Sequence, residues 1–254
     1  MTLILAIDTA TEECAIGIGD WDGVAMTILG ETNLDVPRAA LTHAVPAIDR
    51  LLKDCGARID QVGAVVCGRG PGSFTGVRIG VATAKGIASG LAVPLWGVGT
   101  LDAIARRFAD HDTLVGVVGD AMRKEVYPAL FRCSRGRVER LGDYEVTAPA
   151  EAAARWVDES AGETILLAGN GLAKYEEIFI AALGDRARMV PRDDWTPTGA
   201  SLLLEAYASP PAGDGDPATL LPIYTRLSDA EEAERARGGA LPASGVTGPE
   251  GVRP

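Results

Sequence analysis

The feature that most constrains the fold is an order of strands and helices that occurs twice in 254 residues. Apolar periodicity predicts three strands, then a helix, a strand, a helix, a short strand and a helix. In the first copy these elements cover residues 3–8, 14–19, 24–29, 41–55, 62–67, 74–91, 95–98 and 101–108. In the second copy they cover 114–119, 126–133, 138–141, 149–158, 164–168, 175–183, 188–190 and 198–209. A repeat of this kind indicates duplication of one structural unit.

An aspartate ends the first strand of each copy, Asp8 in one and Asp120 in the other. Two such α/β units side by side, with a cleft between them, are the plan of the actin-like fold (ASKHA, ribonuclease H-like). We therefore predict duplicated βββαβαβα lobes at residues 1–109 and 110–228, the last segment packing back on the first lobe. Residues 229–254 contain no aromatic side chain and are predicted to form a disordered tail.

The composition and net charge of the chain argue against several classes of function. The chain has 24 Lys and Arg against 35 Asp and Glu, a net charge of -11, which argues against unaided binding of a nucleic acid backbone. The four cysteines form no CxxC pair and there are two histidines, so neither a zinc site nor a disulfide framework is predicted. No apolar run is long enough to span a membrane. We expect a soluble, cytoplasmic protein.

The two aspartates also mark where an actin-like ATPase would hold phosphates. Such loops need a glycine after the aspartate so that the backbone can approach the phosphates. Here Asp8 is followed by Thr9-Ala10-Thr11, and Asp120 by Ala121-Met122-Arg123, so both loops are predicted to be degenerate. An aspartate at this place can equally cap a turn. A glycine turn at 169–171 lies where the fold would cradle adenosine, but such turns are common.

A glycine-rich run at residues 68–76 precedes the second helix and is typical of an anion cradle. It matches neither GxGxxG nor GxxxxGK[ST], and Ser73 lacks the flanking glycines of a nucleophile elbow. The helix that follows has two adjacent stripes, one apolar and one that includes Gly76, Gly80 and Gly90. Because glycine disfavours a helix, we expect close approach of another helix at that stripe. Core packing remains an alternative explanation for the second stripe.

Residues 61–100 contain no carboxylate but include Arg69, Arg78 and Lys85. This local excess of positive charge could steer an acidic partner or a phosphate-bearing ligand, or it could be a solvated patch. His43 has no second histidine one turn further along its helix, so it is predicted to be a surface or interface residue and not a metal ligand.

Four segments carry a resemblance to a known family. They are residues 4–11, the run Gly-Pro-Gly-Ser-Phe-Thr-Gly-Val-Arg-Ile-Gly at 70–80, Asp-Ala-Met-Arg-Lys-Glu-Val-Tyr at 120–127, and Pro-Ile-Tyr-Thr-Arg at 222–226. With these segments the chain closely resembles the bacterial TsaB (YeaZ) family over residues 1–228. Ala10 and Met122 depart from the residues usual in that family.

The resemblance implies a non-catalytic subunit of the tRNA threonylcarbamoyladenosine modification complex. It implies TsaD as the catalytic partner, TsaE as the ATPase partner, tRNA reached through the complex, and a possible homodimer on the same surface. No cofactor is expected on this chain; ATP, threonylcarbamoyl-AMP and metal are expected on the partner subunits.

The partner-binding surface implied by the resemblance is the helix pair at 41–55 and 74–91. The predicted contact residues on it are Leu41, His43, Val45, Ile48, Leu52, Phe74, Val77, Arg78, Gly80, Val81 and Ala84. The predicted degenerate phosphate loops contain Asp8, Thr9 and Asp120. Two alternatives stay open, an independent ATPase or kinase of this fold and a peptidase.

Overall fold

The structure, a computed structural model, describes residues 1–35, 40–210 and 215–225, with only the backbone described at 40–42. The predicted tail at 229–254 lies outside the described residues. The first copy consists of β1 (Thr2–Asp8), β2 (Glu13–Trp21), β3 (Met26–Asp35), α1 (Ala40–Asp54), β4 (Val62–Gly68), α2 (Phe74–Leu91), β5 (Leu95–Val98) and α3 (Thr100–Arg106). The second consists of β6 (Thr113–Asp120), β7 (Val126–Ser134), β8 (Arg137–Leu141), α4 (Pro149–Glu159), β9 (Ile165–Ala168), α5 (Leu172–Leu183), β10 (Ala187–Met189) and α6 (Gly199–Ala208).

The strands form two five-stranded mixed sheets with the same topology. The first has the order β3-β2-β1-β4-β5 and the second the order β10-β9-β6-β7-β8. In each sheet the first three strands of the copy pair antiparallel, and the fourth and fifth pair parallel. The element order and the sheet order therefore confirm the predicted duplicated α/β fold.

The helices cover both faces of each sheet, and the last helix of each copy packs on the sheet of the other copy. Helices α1 and α2 pack on one face of the first sheet, and α4 and α5 on one face of the second. The opposite face of the first sheet is covered by α6, whose Leu202 and Leu203 pack on Ile4 and Val66. Helix α3 packs in return on β6, β7 and β8. This exchange joins the lobes by apolar packing, with α6 in a small separate core on the first sheet and α3 in the main core of the second lobe.

Helices α3 and α6 meet between the lobes. Arg106 of α3 pairs with Glu205 of α6 at 2.7 Å, and both side chains are buried. Arg106 also donates to the carbonyl of Gly136 at 2.7 Å. Next to this crossing, a Cβ on Gly199 would lie 2.2 Å from the carbonyl oxygen of Ile16, so α6 begins directly against the backbone of β2.

The predicted element boundaries are close to those of the structure, with one clear difference at β3. The predicted strand at 24–29 is wrong in extent, since β3 runs from Met26 to Asp35. Its residues alternate between half-buried and exposed along its whole length, as is typical of an edge strand. Within the described residues, no helix has the length and apolar character required to cross a membrane.

Candidate functional site

The carboxylate that ends β1 lies wholly inside the first lobe. Asp8 is fully buried and accepts hydrogen bonds from Thr100 Oγ1 and from the backbone N–H of Ala10, both at 2.6 Å. Burial raises the pKa of this carboxyl to about 6, although both hydrogen bonds oppose the rise. A Cβ on Gly68 would lie 1.7 Å from Asp8 Oδ2, so this glycine makes room for the carboxylate. Asp8 is therefore held by its own lobe and is not accessible to a ligand in the cleft.

Asp120, at the same place in the second lobe, has a different environment. Its side chain stays 16% exposed and forms an ion pair with Lys174. Its backbone N–H donates to Asn170 Oδ1 at 3.0 Å, so the glycine turn at 169–171 contacts the degenerate loop directly. Residues 122–124 all have positive φ. This is the left-handed backbone conformation, which costs free energy for residues other than glycine. The second loop thus makes its tight turn without the glycine that a phosphate cradle uses.

Glu12, in the turn after β1, and Glu13, the first residue of β2, reach across to the second half of the chain. Glu12 Oε2 accepts a hydrogen bond from Asn170 Nδ2 at 2.6 Å. Glu13 Oε2 accepts from Thr196 Oγ1 at 2.8 Å and from Asn33 Nδ2 at 2.7 Å. These carboxylates lie at the turn that would hold phosphate in an ATPase of this fold, and like charges at that place repel a phosphate. The geometry therefore disfavours nucleotide binding at this turn.

The glycines at the start of α2 pack against the same turn of their own lobe. A Cβ on Gly76 would lie 2.0 Å from the carbonyl oxygen of Thr9, and one on Gly80 would lie 2.6 Å from Thr9 Oγ1. Thr9 Oγ1 in turn donates to the carbonyl of Gly76 at 2.6 Å. The expectation that another helix approaches these two glycines is therefore wrong, because a loop of the same lobe approaches them instead. A Cβ on Gly90 would have no described atom within 4 Å.

The structure divides the predicted partner-contact residues into a buried and an exposed group. Six are buried in the first lobe, where they pack α1 and α2 on the sheet or on the Thr9 turn: Ile48, Leu52, Val77, Gly80, Val81 and Ala84. Four are exposed: His43, Val45, Phe74 and Arg78. The side chain of Leu41 lies outside the described residues. Buried side chains cannot form a contact surface in this conformation, so the docking role stays a prediction for the exposed four.

The exposed side of α1 and α2, which we call the outer helix face, combines apolar and small residues. Val45 is 56% and Phe74 45% exposed, and the Arg78 guanidinium stacks 3.8 Å from the centre of the Phe74 ring. Further along α2, a Cβ on Gly86 would meet no described atom within 4 Å. The outer helix face therefore has an exposed apolar side chain on each helix, and on α2 also a cation stacked on Phe74 and an open glycine.

Ser73, the serine of the glycine-rich run, has a structural contact in the described chain. Ser73 caps the N-terminus of α2, where its Oγ accepts a hydrogen bond from the N–H of Gly76 at 3.2 Å. In the part of the chain that the structure describes, no group of three or more His, Cys, Asp or Glu side chains could hold a metal ion. The roles of Thr100, Glu12 and Lys174 were missed from the sequence. Thr100 is the first residue of α3, one residue beyond the end of β5, and this position at a strand end was the only signal that the sequence offered for its role.

Comparisons with known proteins agree with this architecture. A family model described as "TsaD: tRNA N6-adenosine threonylcarbamoyltransferase" matches residues 35–193. The tRNA threonylcarbamoyladenosine biosynthesis protein TsaB of Bacillus subtilis is 28% identical over 230 residues, which cover 90% of this chain and 96% of that protein. TsaB of Escherichia coli is 32% identical over 192 residues, covering 75% and 78%. The structure of YeaZ from Pseudomonas aeruginosa has a TM-score of 0.72 at 27% identity and covers 88% of this chain and 100% of that chain.

The two sheets of equal topology and the exchanged helices define a class, the duplicated actin-like α/β proteins. Within that class, the sequence and structural matches are specific. The chain belongs to the TsaB (YeaZ) family, within the wider family that the TsaD model describes.

Proposed function

We propose that this chain acts in tRNA threonylcarbamoyladenosine biosynthesis as a non-catalytic subunit that binds TsaD and activates it. Membership of the TsaB family supports the pathway. The observation that carries the non-catalytic role is the burial of Asp8, because the carboxylate that an ATPase of this fold would direct at its metal is fully used by Thr100 and Ala10. ATP, threonylcarbamoyl-AMP and metal then belong to the partner subunits TsaD and TsaE.

The docking surface in this proposal is the outer helix face. Val45 and Phe74 are large apolar side chains exposed on neighbouring helices, and apolar anchors of this kind dominate the energetics of protein interfaces. The surrounding charge agrees with such a role, since α2 carries Arg78 and Lys85 and no carboxylate. A second copy of the chain is the competing occupant of the same face. We propose that the homodimer and the TsaD complex exclude one another.

The activating role is tested by reconstitution. Purified TsaD, TsaE, tRNA, ATP and threonylcarbamoyl-AMP are combined with or without this chain, and modified adenosine is measured by mass spectrometry. We expect product formation to require the chain. Full turnover of TsaD in its absence would refute the proposal, and so would magnesium-dependent ATP hydrolysis by the isolated chain.

The docking surface is tested by replacing its exposed apolar residues with aspartate. Val45→Asp and Phe74→Asp should each weaken TsaD binding by at least about tenfold in calorimetry, because an unpaired carboxylate would be desolvated in the interface. Ile178→Asp is the matched control, since Ile178 is 37% exposed on α5, the equivalent of α2 in the second lobe. If both variants bound TsaD with unchanged affinity, the interface would lie elsewhere. The same would follow if the control lost as much affinity as they did.

A further inference from the structure

A cavity of about 360 Å³ lies between the lobes. The first lobe contributes Arg69, Gly97 and Gly99 to its wall, and the second contributes Arg140 and Tyr144. Its volume falls in the range of small-molecule sites in proteins. None of its lining residues belongs to the outer helix face or to the contacts of Glu12 and Asn170 described above.

The charges in the cavity wall are paired except at one position. Asp102 accepts a hydrogen bond from Arg140 Nη1 at 3.0 Å, and Glu205 pairs with Arg106 at 2.7 Å. Arg69 donates through Nε to the carbonyl of Leu221 at 2.7 Å, and no carboxylate among the described residues pairs with it. Partial burial lowers the pKa of Arg69, as expected for a guanidinium without a counterion. The wall therefore has one uncompensated positive charge.

A polar atom on the opposite wall also lacks a partner. The Tyr144 hydroxyl is buried, and no hydrogen-bond partner for it lies within the described part of the chain. Its ring lies beneath the Arg140 guanidinium, 3.9 Å from the ring centre. Buried hydroxyl groups without a partner are rare, because they lose their water without a replacement. An acceptor is therefore missing at this position.

Two glycines allow these groups to approach the backbone. A Cβ on Gly99 would lie 2.0 Å from both Asp102 Oδ2 and Tyr144 Oη, and a Cβ on Gly97 would lie 2.0 Å from Arg69 Cδ. Any side chain at either position would therefore displace the polar groups of the wall. The cavity depends on glycine at both places.

We propose that this cavity binds a small organic anion whose phosphate or carboxylate group accepts hydrogen bonds from the Arg69 guanidinium and the Tyr144 hydroxyl. Such a group supplies both the missing negative charge and the missing acceptor, and hydrogen bonds to charged groups are the stronger kind. The volume of about 360 Å³ leaves room for an organic part beside the anionic group. Because both lobes contribute to the wall, the bound anion would bridge them.

The proposal is tested with three probes that share a three-carbon skeleton. Glycerol 3-phosphate, glycerate and glycerol are titrated into the full ¹⁵N-labelled chain at constant ionic strength, and amide resonances are followed. We expect at least one of the two anions to shift the amides of Arg69, Gly97 and Gly99 in a saturable way, while neutral glycerol shifts none of them. The anion that binds identifies the head group as phosphate or carboxylate. The absence of a saturable shift with both anions would overturn the proposal.

Two variants tie the binding to the named groups. Arg69→Gln and Tyr144→Phe should each weaken binding of the responding anion, the first by about tenfold or more because it removes a charged donor. Tyr144→Phe removes an oxygen that has no partner among the described residues, so the melting temperature of this variant should not fall, and a loss of affinity cannot then be attributed to unfolding. Arg58→Gln is the control, since Arg58 is exposed and paired with Asp60. Wild-type affinity in either test variant would overturn the assignment of that donor.

Discussion

The two lobes have the same sheet topology but different surfaces and different chemistry at equivalent positions. Helix α2 of the first lobe carries two cations and no carboxylate, whereas its equivalent α5 carries Lys174 with Glu176 and Glu177. The aspartate that ends the first strand is fully buried in one lobe, and in the other it is partly exposed and paired with Lys174. Duplication therefore preserved the core pattern, which is set by apolar periodicity, while polar positions diverged.

The divergence of polar positions between the two lobes has a physical explanation. An apolar core tolerates few changes in volume and pattern, so both copies keep the same strands and helices. Polar side chains at the ends of strands are constrained only by what they bind, and here the first lobe directs Asp8 inward to Thr100 while the second directs Asp120 to Lys174. The lobes are held together by the exchanged helices α3 and α6, so this junction gives the strongest test of the comparison.

The largest effect is expected from Glu205→Ala. This change leaves Arg106 buried between α3 and α6 without its carboxylate, which typically costs about 3–5 kcal/mol in the free energy of unfolding. Glu163→Ala is the control, because Glu163 pairs with Arg132 on the surface, where such pairs contribute less than about 1 kcal/mol. Urea unfolding measures both. Equal losses in the two variants would show that the pair between Arg106 and Glu205 is as accessible to water as the surface pair.

The second prediction concerns pH and the buried Asp8. Its pKa is raised from 3.8 to about 6 by burial, so the ionised carboxylate destabilises the folded state above pH 6. The contribution of Asp8 to stability should therefore rise as the pH falls from 7 towards 4, by at most about 3 kcal/mol, since one pKa unit corresponds to about 1.36 kcal/mol. Asp8→Asn should lack this contribution, so the difference in stability between wild type and variant should change over that interval.

Asp120→Asn is the matched variant in the other lobe for this measurement. It leaves Asp8 intact and should therefore keep the rise in stability that Asp8 contributes between pH 7 and pH 4. Denaturant unfolding at several pH values measures all three proteins. If Asp8→Asn and wild type followed parallel curves, the carboxylate would be solvated and the contrast between the lobes would fail.

Most elements of both lobes could be predicted from the sequence, because their apolar patterns are strong and local. The bounds of α2 and β5 agree with the predicted 74–91 and 95–98. Strand β3 was predicted too short, since Gly30, Glu31 and Asn33 give its second half a polar composition with low strand propensity. An edge strand buries only part of each residue, so its sequence carries a weak signal.

The arrangement of the site could not be predicted in the same way. Periodicity indicates that α2 is amphipathic, but it does not indicate which partner covers each face, and the glycines at 76 and 80 face the Thr9 turn of the same lobe. The hydrogen bond between Asp8 and Thr100 joins residues 92 positions apart. The exchange of α3 and α6 likewise depends on long-range packing that no local pattern encodes.

The third prediction compares two glycines on the same helix. Gly76→Ala places a Cβ against the carbonyl oxygen of Thr9 and should lower the free energy of unfolding by about 1–3 kcal/mol through overpacking. Gly86→Ala meets open space and should raise it by up to about 1 kcal/mol, because alanine favours the helix. Thermal unfolding measures both variants, and we expect a lower melting temperature for Gly76→Ala and a higher one for Gly86→Ala. Two changes of the same sign would contradict the packing of α2 on the Thr9 turn.

The smallest effect is expected from Lys174→Gln, which removes the ion pair with Asp120 in the second lobe. The lysine side chain is half exposed, and ion pairs of this kind contribute less than about 1 kcal/mol because water and salt screen them. The loss should shrink further when unfolding is measured in 0.5 M NaCl. A loss of several kcal/mol that persists in salt would mean that Asp120 is desolvated as Asp8 is. The two aspartates would then differ in their partners alone and not in their exposure to water.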